Sequence, residues 1–152
     1  SSKPRAHYAI ARSVFHKTKD LENALIHYRR AVEILPNFPD AWNSLGLTHK
    51  DKGDLPSAIR AYQQAIAFHN THREAYYNLG LAYQQQGSLE QARQAYEKAL
   101  QYNPDHPPTY NNLATLYIHF GNADKAILLW QKALRLDPNY DVARHNLERL
   151  KK

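Results

Sequence analysis

A chain of 152 residues, 43% hydrophobic and 22% charged, fits one globular domain of ordinary size. It carries no Cys, which excludes disulfides and thiolate metal sites, and no apolar run of the roughly 18 residues that a membrane span needs. The net charge of +6 sits at the ends, because residues 1–19 hold five basic side chains and no acid, residues 141–152 hold four basic and two acidic ones, and the body between is nearly neutral. A nucleic-acid surface would show a basic stripe along the body, so no nucleic-acid partner is expected.

Three stretches write one pattern at a spacing of 34 residues: AWNSLGLTHKDKGDLPSAIRAYQQAI from Ala41, AYYNLGLAYQQQGSLEQARQAYEKAL from Ala75 and TYNNLATLYIHFGNADKAILLWQKAL from Thr109. Counted from Arg5, the repeats run 5–38, 39–72, 73–106 and 107–140. The first has Tyr8 and Tyr28 at registers 4 and 24 and Ala24 and Ala31 at registers 20 and 27. It departs from the others at Ala11, Arg12 and Lys19, where Leu, Gly and Gly stand in the second and third, and Arg12 predicts looser packing. The second opens at Pro39, a residue suited to the first position of a helix, turns at Gly53 and restarts behind Asp54, an N-cap candidate. In the third, Ala75, Tyr76, Leu79, Gly80, Ala82 and Tyr83 fall on one helical face. Leu89, Ala92, Tyr96, Ala99 and Leu100 form a second amphipathic run. Between them, Gly87 suits a helix end, and Ser88 with Gln91 predicts a capping box. The fourth opens at Pro107, turns at Gly121 and restarts behind Asn122. Asp141–Lys151 reads as a solvating cap helix. Ala143, Leu147 and Leu150 keep the packing registers, while Arg144, Glu148 and Lys151 replace the usual aromatic, small and Tyr residues.

Four tandem copies without an insertion, with an aromatic, Leu-Gly, Tyr, Ala, an aromatic and Pro at fixed registers, resemble the tetratricopeptide-repeat family over nearly the whole chain. The resemblance implies an all-α fold, a right-handed superhelical solenoid of antiparallel helix-turn-helix repeats, with residues 1–152 as a single domain. Small residues at registers 8, 20 and 27 let helices approach closely. One hairpin cannot bury its own apolar face, so stacked repeats share a continuous core and present a concave groove.

Nine of the eleven Tyr occupy scaffold registers and are expected in the core; Tyr77 and Tyr140 remain, and Tyr77 should face the groove. The nine His scatter over eight registers without HExxH, so neither a metal site nor a cofactor is expected, and His72 and His106 read as surface residues. No phosphate loop, nucleophile elbow or calcium loop occurs, and no enzyme activity is expected. Register 6 carries Ile10, Ser44, Asn78, Asn112 and Asn146, with Asn recurring in the last three. An amide side chain can bond both groups of a peptide backbone whatever its sequence, and an inner Asn ladder holds an extended chain in relatives of this kind. The candidate peptide-binding set is Asn43, Leu47, Tyr77, Asn78, Leu81, Asn111, Asn112, Thr115, His119 and Asn146. Ile118, Gln84, Lys50, His145 and Arg149 complete the inner lining.

Family members that grip acidic chaperone tails place Lys, Asn, Asn, Lys and Arg at fixed inner registers. Those registers hold Ala9, Ser13, Ser44, Glu74 and Asn78 in one frame, and Asn43, Leu47, Asn78, Pro108 and Asn112 in the next, so neither frame fits. The function expected is a non-catalytic protein–protein interaction module that binds a peptide segment of a partner in its concave groove. The alternative is a structural scaffold or accessory subunit that docks through its ends or convex face. No secretory signal is visible, cytoplasmic and periplasmic locations both stay open, and so does the oligomeric state.

Overall fold

The computed structural model describes residues 3–152, and every regular element among them is an α-helix. The helices are α1 (Pro4–Lys17), α2 (Leu21–Ile34), α3 (Pro39–Asp51), α4 (Leu55–Phe68), α5 (Arg73–Gln86), α6 (Leu89–Tyr102), α7 (Pro107–His119), α8 (Ala123–Leu136) and α9 (Asp141–Leu150). Most starts have a local cause. Pro4, Pro39 and Pro107 open α1, α3 and α7, where a missing N–H costs nothing. The side chains of Asp20, Asp54 and Asn122 accept from the N–H of Asn23, Ser57 and Lys125 at 3.0, 3.1 and 3.1 Å. The capping box expected at Ser88 does not form, because its hydroxyl turns back to donate to Gln86 Oε1 at 3.2 Å. Gly53, Gly87 and Gly121 take φ of +83°, +86° and +73°, the left-handed conformation that ends a helix. In the first repeat Lys19 holds φ +56° in the same register, with a side chain that disfavours it.

Helices pair as α1 with α2, α3 with α4, α5 with α6 and α7 with α8, and each pair packs on the next, ending with α8 on α9. The close approach within a pair depends on registers 8 and 24. A Cβ added to Gly46 would lie 2.5 Å from Tyr62 Cε1, and one added to Gly80 would lie 2.5 Å from Tyr96 Cε1. Both rings are fully buried. Ala114, also fully buried, fills register 8 in the fourth repeat, where the ring at register 24 is Trp130. In the first repeat the register-8 residue is Arg12. It stays exposed and lays its guanidinium 5.7 Å from the Tyr8 ring centre. Of the nine scaffold Tyr, Tyr28, Tyr62, Tyr96 and Tyr117 are buried, while Tyr8, Tyr76, Tyr83, Tyr102 and Tyr110 are half-buried. Their hydroxyls explain part of the difference, since Tyr76 and Tyr110 reach out to donate to the carbonyls of Asn70 and Pro104, each at 2.9 Å.

Tyr62 and Tyr96 share a register but not a partner. Tyr96 Oη donates to Gln84 Oε1 at 2.7 Å. The residue of the Gln84 register in the preceding repeat is Lys50, whose ammonium cannot accept, and the buried Tyr62 hydroxyl finds no protein partner among the described residues. Tyr62→Phe is therefore expected to raise stability by about 1 kcal/mol, whereas Tyr96→Phe should lower it by about as much. Urea midpoints of the two variants check the opposite signs. Equal destabilisation would mean that the Tyr62 hydroxyl is satisfied in solution.

The expectation of surface histidines fails at His72. It is 5% exposed because it caps α5, its Nδ1 accepting the Ala75 N–H at 3.1 Å while Nε2 faces Asp40 Oδ1 at 3.0 Å. His49 is also buried, and His106 is half-buried. Burial holds both His49 and His106 below the ordinary histidine range; Asp54, 3.6 Å from His49, and Glu74 beside His106 offset this in part. A base depressed in the fold takes up protons on unfolding. Its contribution is present above the unfolded value of about 6.5 and is lost as the pH falls from there through the folded value. Urea midpoints should fall between about pH 7 and pH 5, and His49→Gln with His106→Gln should flatten that slope.

Candidate functional site

The odd-numbered helices lie closer to one another than the even-numbered ones. α1 packs on α3 and α3 on α5, and side-chain hydrogen bonds join α5 to α7 and α7 to α9, with no comparable contact between successive even-numbered helices. The odd-numbered helices therefore form the tighter, inner wall of the array. All ten candidate residues lie on this wall, on α3, α5, α7 and α9.

The Asn ladder is built, and its first use is internal. Asn78 Nδ2 donates to Asn43 Oδ1 at 3.0 Å, Asn112 Nδ2 to Tyr77 Oη at 3.5 Å, and Asn146 Nδ2 to Asn111 Oδ1 at 3.0 Å. Each bond joins register 6 of one repeat to register 5 of the repeat before. One amide hydrogen of each ladder Asn is thus engaged between helices. Asn78 and Asn111 are buried, while Asn43, Asn112 and Asn146 are half-buried. Asn111 is the best-connected member. Its Oδ1 also accepts from the Trp130 indole N–H at 3.0 Å, and its Nδ2 donates to Asn112 Oδ1 at 3.3 Å.

The remaining candidates fill the spaces beside the ladder. Leu47 and Leu81 are half-buried against the core clusters. Tyr77 packs edge-on against His106, with ring centres 4.9 Å apart, and burial raises its phenol above the ordinary tyrosine range while the Asn112 bond partly offsets this. Thr115 donates to the carbonyl of Asn111 at 3.1 Å, and His119 is exposed. Three candidates, Thr115, His119 and Asn146, meet in one cleft between α7 and α9. Asn43, Leu47 and Leu81 do not reach it.

Tetratricopeptide-repeat models match residues 74–106 and 95–127, and a TPR-repeat model matches 13–53 and 49–87, so that the matches run through all four 34-residue units. The chain belongs to the tetratricopeptide-repeat (TPR) family. No curated protein matches it at a significant level. Among solved structures, MamA is 26% identical with a TM-score of 0.82, over 88% of this chain and 78% of that one. YrrB, a TPR protein with an unusual peptide-binding site, is 20% identical with a TM-score of 0.83, over 97% and 75%. PilF of Pseudomonas aeruginosa is 22% identical with a TM-score of 0.87, over 97% and 67%. The last two likenesses concern the fold. TPR arrays are typically non-catalytic and bind protein or peptide partners, and the fold of this chain supports a protein–protein interaction module. No helix of the described residues is long and apolar enough to cross a membrane.

Sequence reasoning missed two lining residues of the TPR array, Trp130 and Leu150. Trp130 holds a scaffold register, and its ring is at once core and floor of the α7–α9 cleft. Leu150 shares its register with Thr48, Ala82 and Leu116, all fully buried, yet is itself 38% exposed. A large apolar side chain in a helix otherwise rich in charge was the available signal.

Proposed function

We propose that the chain is a non-catalytic module, a single domain of four repeats capped by α9, that holds a peptide segment of a partner protein along its inner wall. The observation that carries this reading is the convergence of candidate residues on the odd-numbered helices, with Thr115, His119 and Asn146 lining one cleft. Half-exposed apolar groups, Leu47 and Leu81, alternate there with amides, a mixture suited to protein recognition. YrrB, similar in fold, has a peptide-binding site, which agrees with this reading.

Random peptides selected on the wild-type protein test it. Leu81→Arg with Thr115→Arg, in a protein shown to be folded by its circular dichroism, should weaken the selected peptides at least about tenfold, or about 1.4 kcal/mol. Peptides that bind the variant undiminished, but lose affinity to Gln94→Arg on the outer helix α6, would place recognition on the convex side.

A second reading is docking by the first edge. Registers 3, 6 and 10 press on the preceding repeat elsewhere. In α1 they carry His7, Ile10 and Val14, and Ile10 is 44% exposed. Lys3, Arg5, Arg12, Lys17 and Lys19, on or next to α1, have no carboxylate partner among the described residues. This reading expects charge reversal at Arg5, Arg12 and Lys17 to release the partner while the inner-wall variant keeps it.

A further inference from the structure

The α7–α9 cleft has a composition that defines what it would take. Its volume is about 360 Å³, near the lower end of ligand-binding pockets. Thr115, Ile118 and His119 of α7 form one wall, Asn146, Arg149 and Leu150 of α9 the other, and Trp130 of α8 the floor. Ile118 and Leu150 are 37% and 38% exposed, an apolar pair facing the opening.

The polar groups of the cleft divide into engaged and available ones. The Trp130 indole N–H is bonded to Asn111, so the indole offers the cleft only its apolar ring. The Thr115 hydroxyl is bonded to the Asn111 carbonyl, and Asn146 donates to Asn111 Oδ1. What remains is the Asn146 side-chain oxygen and the Thr115 hydroxyl oxygen as acceptors and the second amide hydrogen of Asn146, with the exposed Arg149 guanidinium and His119 imidazole beside them. No carboxylate lines the cleft. Its only fixed charge is positive, and a guanidinium matches the two oxygens of a carboxylate.

We propose that this cleft is the anchor site for an apolar peptide side chain flanked by a carboxylate. The apolar group lies over Trp130 between Ile118 and Leu150. Arg149, with His119 beside it, takes the carboxylate, and Asn146 Oδ1 accepts a backbone N–H. The inference rests on the inner-wall reading for the course of the peptide, but it names a ligand chemistry that the ladder alone does not. It differs from the Lys-Asn clamp ruled out above, because the cation stands on α9 and the apolar contact is central.

The chain has two Trp, so Trp42→Phe leaves Trp130 as the only indole reporter. The probe is an acetylated, amidated pentapeptide, Gly-Asp-Phe-Asp-Gly, titrated into that variant. A saturable change in Trp130 emission at millimolar or lower peptide is expected. It should weaken about tenfold with the Asn-Phe-Asn peptide, with the Asp-Ala-Asp peptide and with Arg149→Gln, a substitution at an exposed position whose fold is checked by circular dichroism. Absence of a saturable change overturns the proposal. Undiminished binding of the neutral peptide, or an unaffected Arg149→Gln, overturns its charged half, and undiminished binding of the Ala peptide overturns its apolar half. The two readings fail separately. Selected peptides lost with Leu81→Arg/Thr115→Arg, but a silent Asp-Phe-Asp probe, would keep the inner wall and remove this anchor. A responding probe beside selected peptides indifferent to that variant would keep the anchor alone.

Discussion

Gly80→Val is expected to destabilise the protein by about 3 kcal/mol, the upper range for overpacking a close-packed core. A Cβ alone would already sit 2.5 Å from one ring atom of Tyr96 and 2.6 Å from another. The ring is fully buried, and its hydroxyl is tied to Gln84, so it has no open side to move into. The damage should appear as a lower urea midpoint. A double-mutant cycle assigns the cause. Tyr96→Leu in the Gly80→Val background should cost much less than Tyr96→Leu alone, because the smaller side chain relieves the contact. Additive costs would mean that helix α5 yields elsewhere and that the Gly80–Tyr96 approach is not the constraint.

Asn111→Ala should cost about 2 kcal/mol, chiefly because the buried Trp130 N–H would lose its acceptor. The same change frees Asn146, which is half-buried and can turn to water at smaller cost. Adding Trp130→Phe to Asn111→Ala removes the stranded donor, so the double variant should be less destabilised than the sum of the two single ones. In the Trp42→Phe background the emission of Trp130 offers an independent check, because loosening of the α7–α9 cleft would expose the ring and shift its spectrum to the red. Strict additivity of the two costs would contradict the hydrogen bond.

The helical array was legible because several structural registers keep one kind of residue in most repeats. Ala at registers 20 and 27, a ring at 24 and Gly at 15 describe the same contact in successive repeats, and repetition separates signal from chance. The features that sequence did not reveal arise where a register changes identity. His72 reads as a surface histidine in isolation, and only the fold brings Asp40 and the Ala75 N–H to its two nitrogens. Ser88 looks like a cap until Gln86 competes for its hydroxyl. The Asn ladder was visible as a period, but which of its amide groups face a neighbour depends on the distance between successive inner helices, which no single repeat encodes. Lys50 in place of the Gln84 register leaves a buried hydroxyl without an acceptor, an effect that appears only when the Tyr62 side chain is set beside it.

The packing of each helix pair on its immediate neighbours bears on how the protein is made. A ribosome delivers about 5–20 residues per second, so a 34-residue repeat takes a few seconds to emerge, far longer than helices and hairpins take to form. When α3 and α4 emerge, α1 and α2 are already available as a surface to grow on, while the face of α4 that packs on α5 stays open until the next repeat follows. The array can thus assemble in the order of translation, each repeat serving as the template for the next.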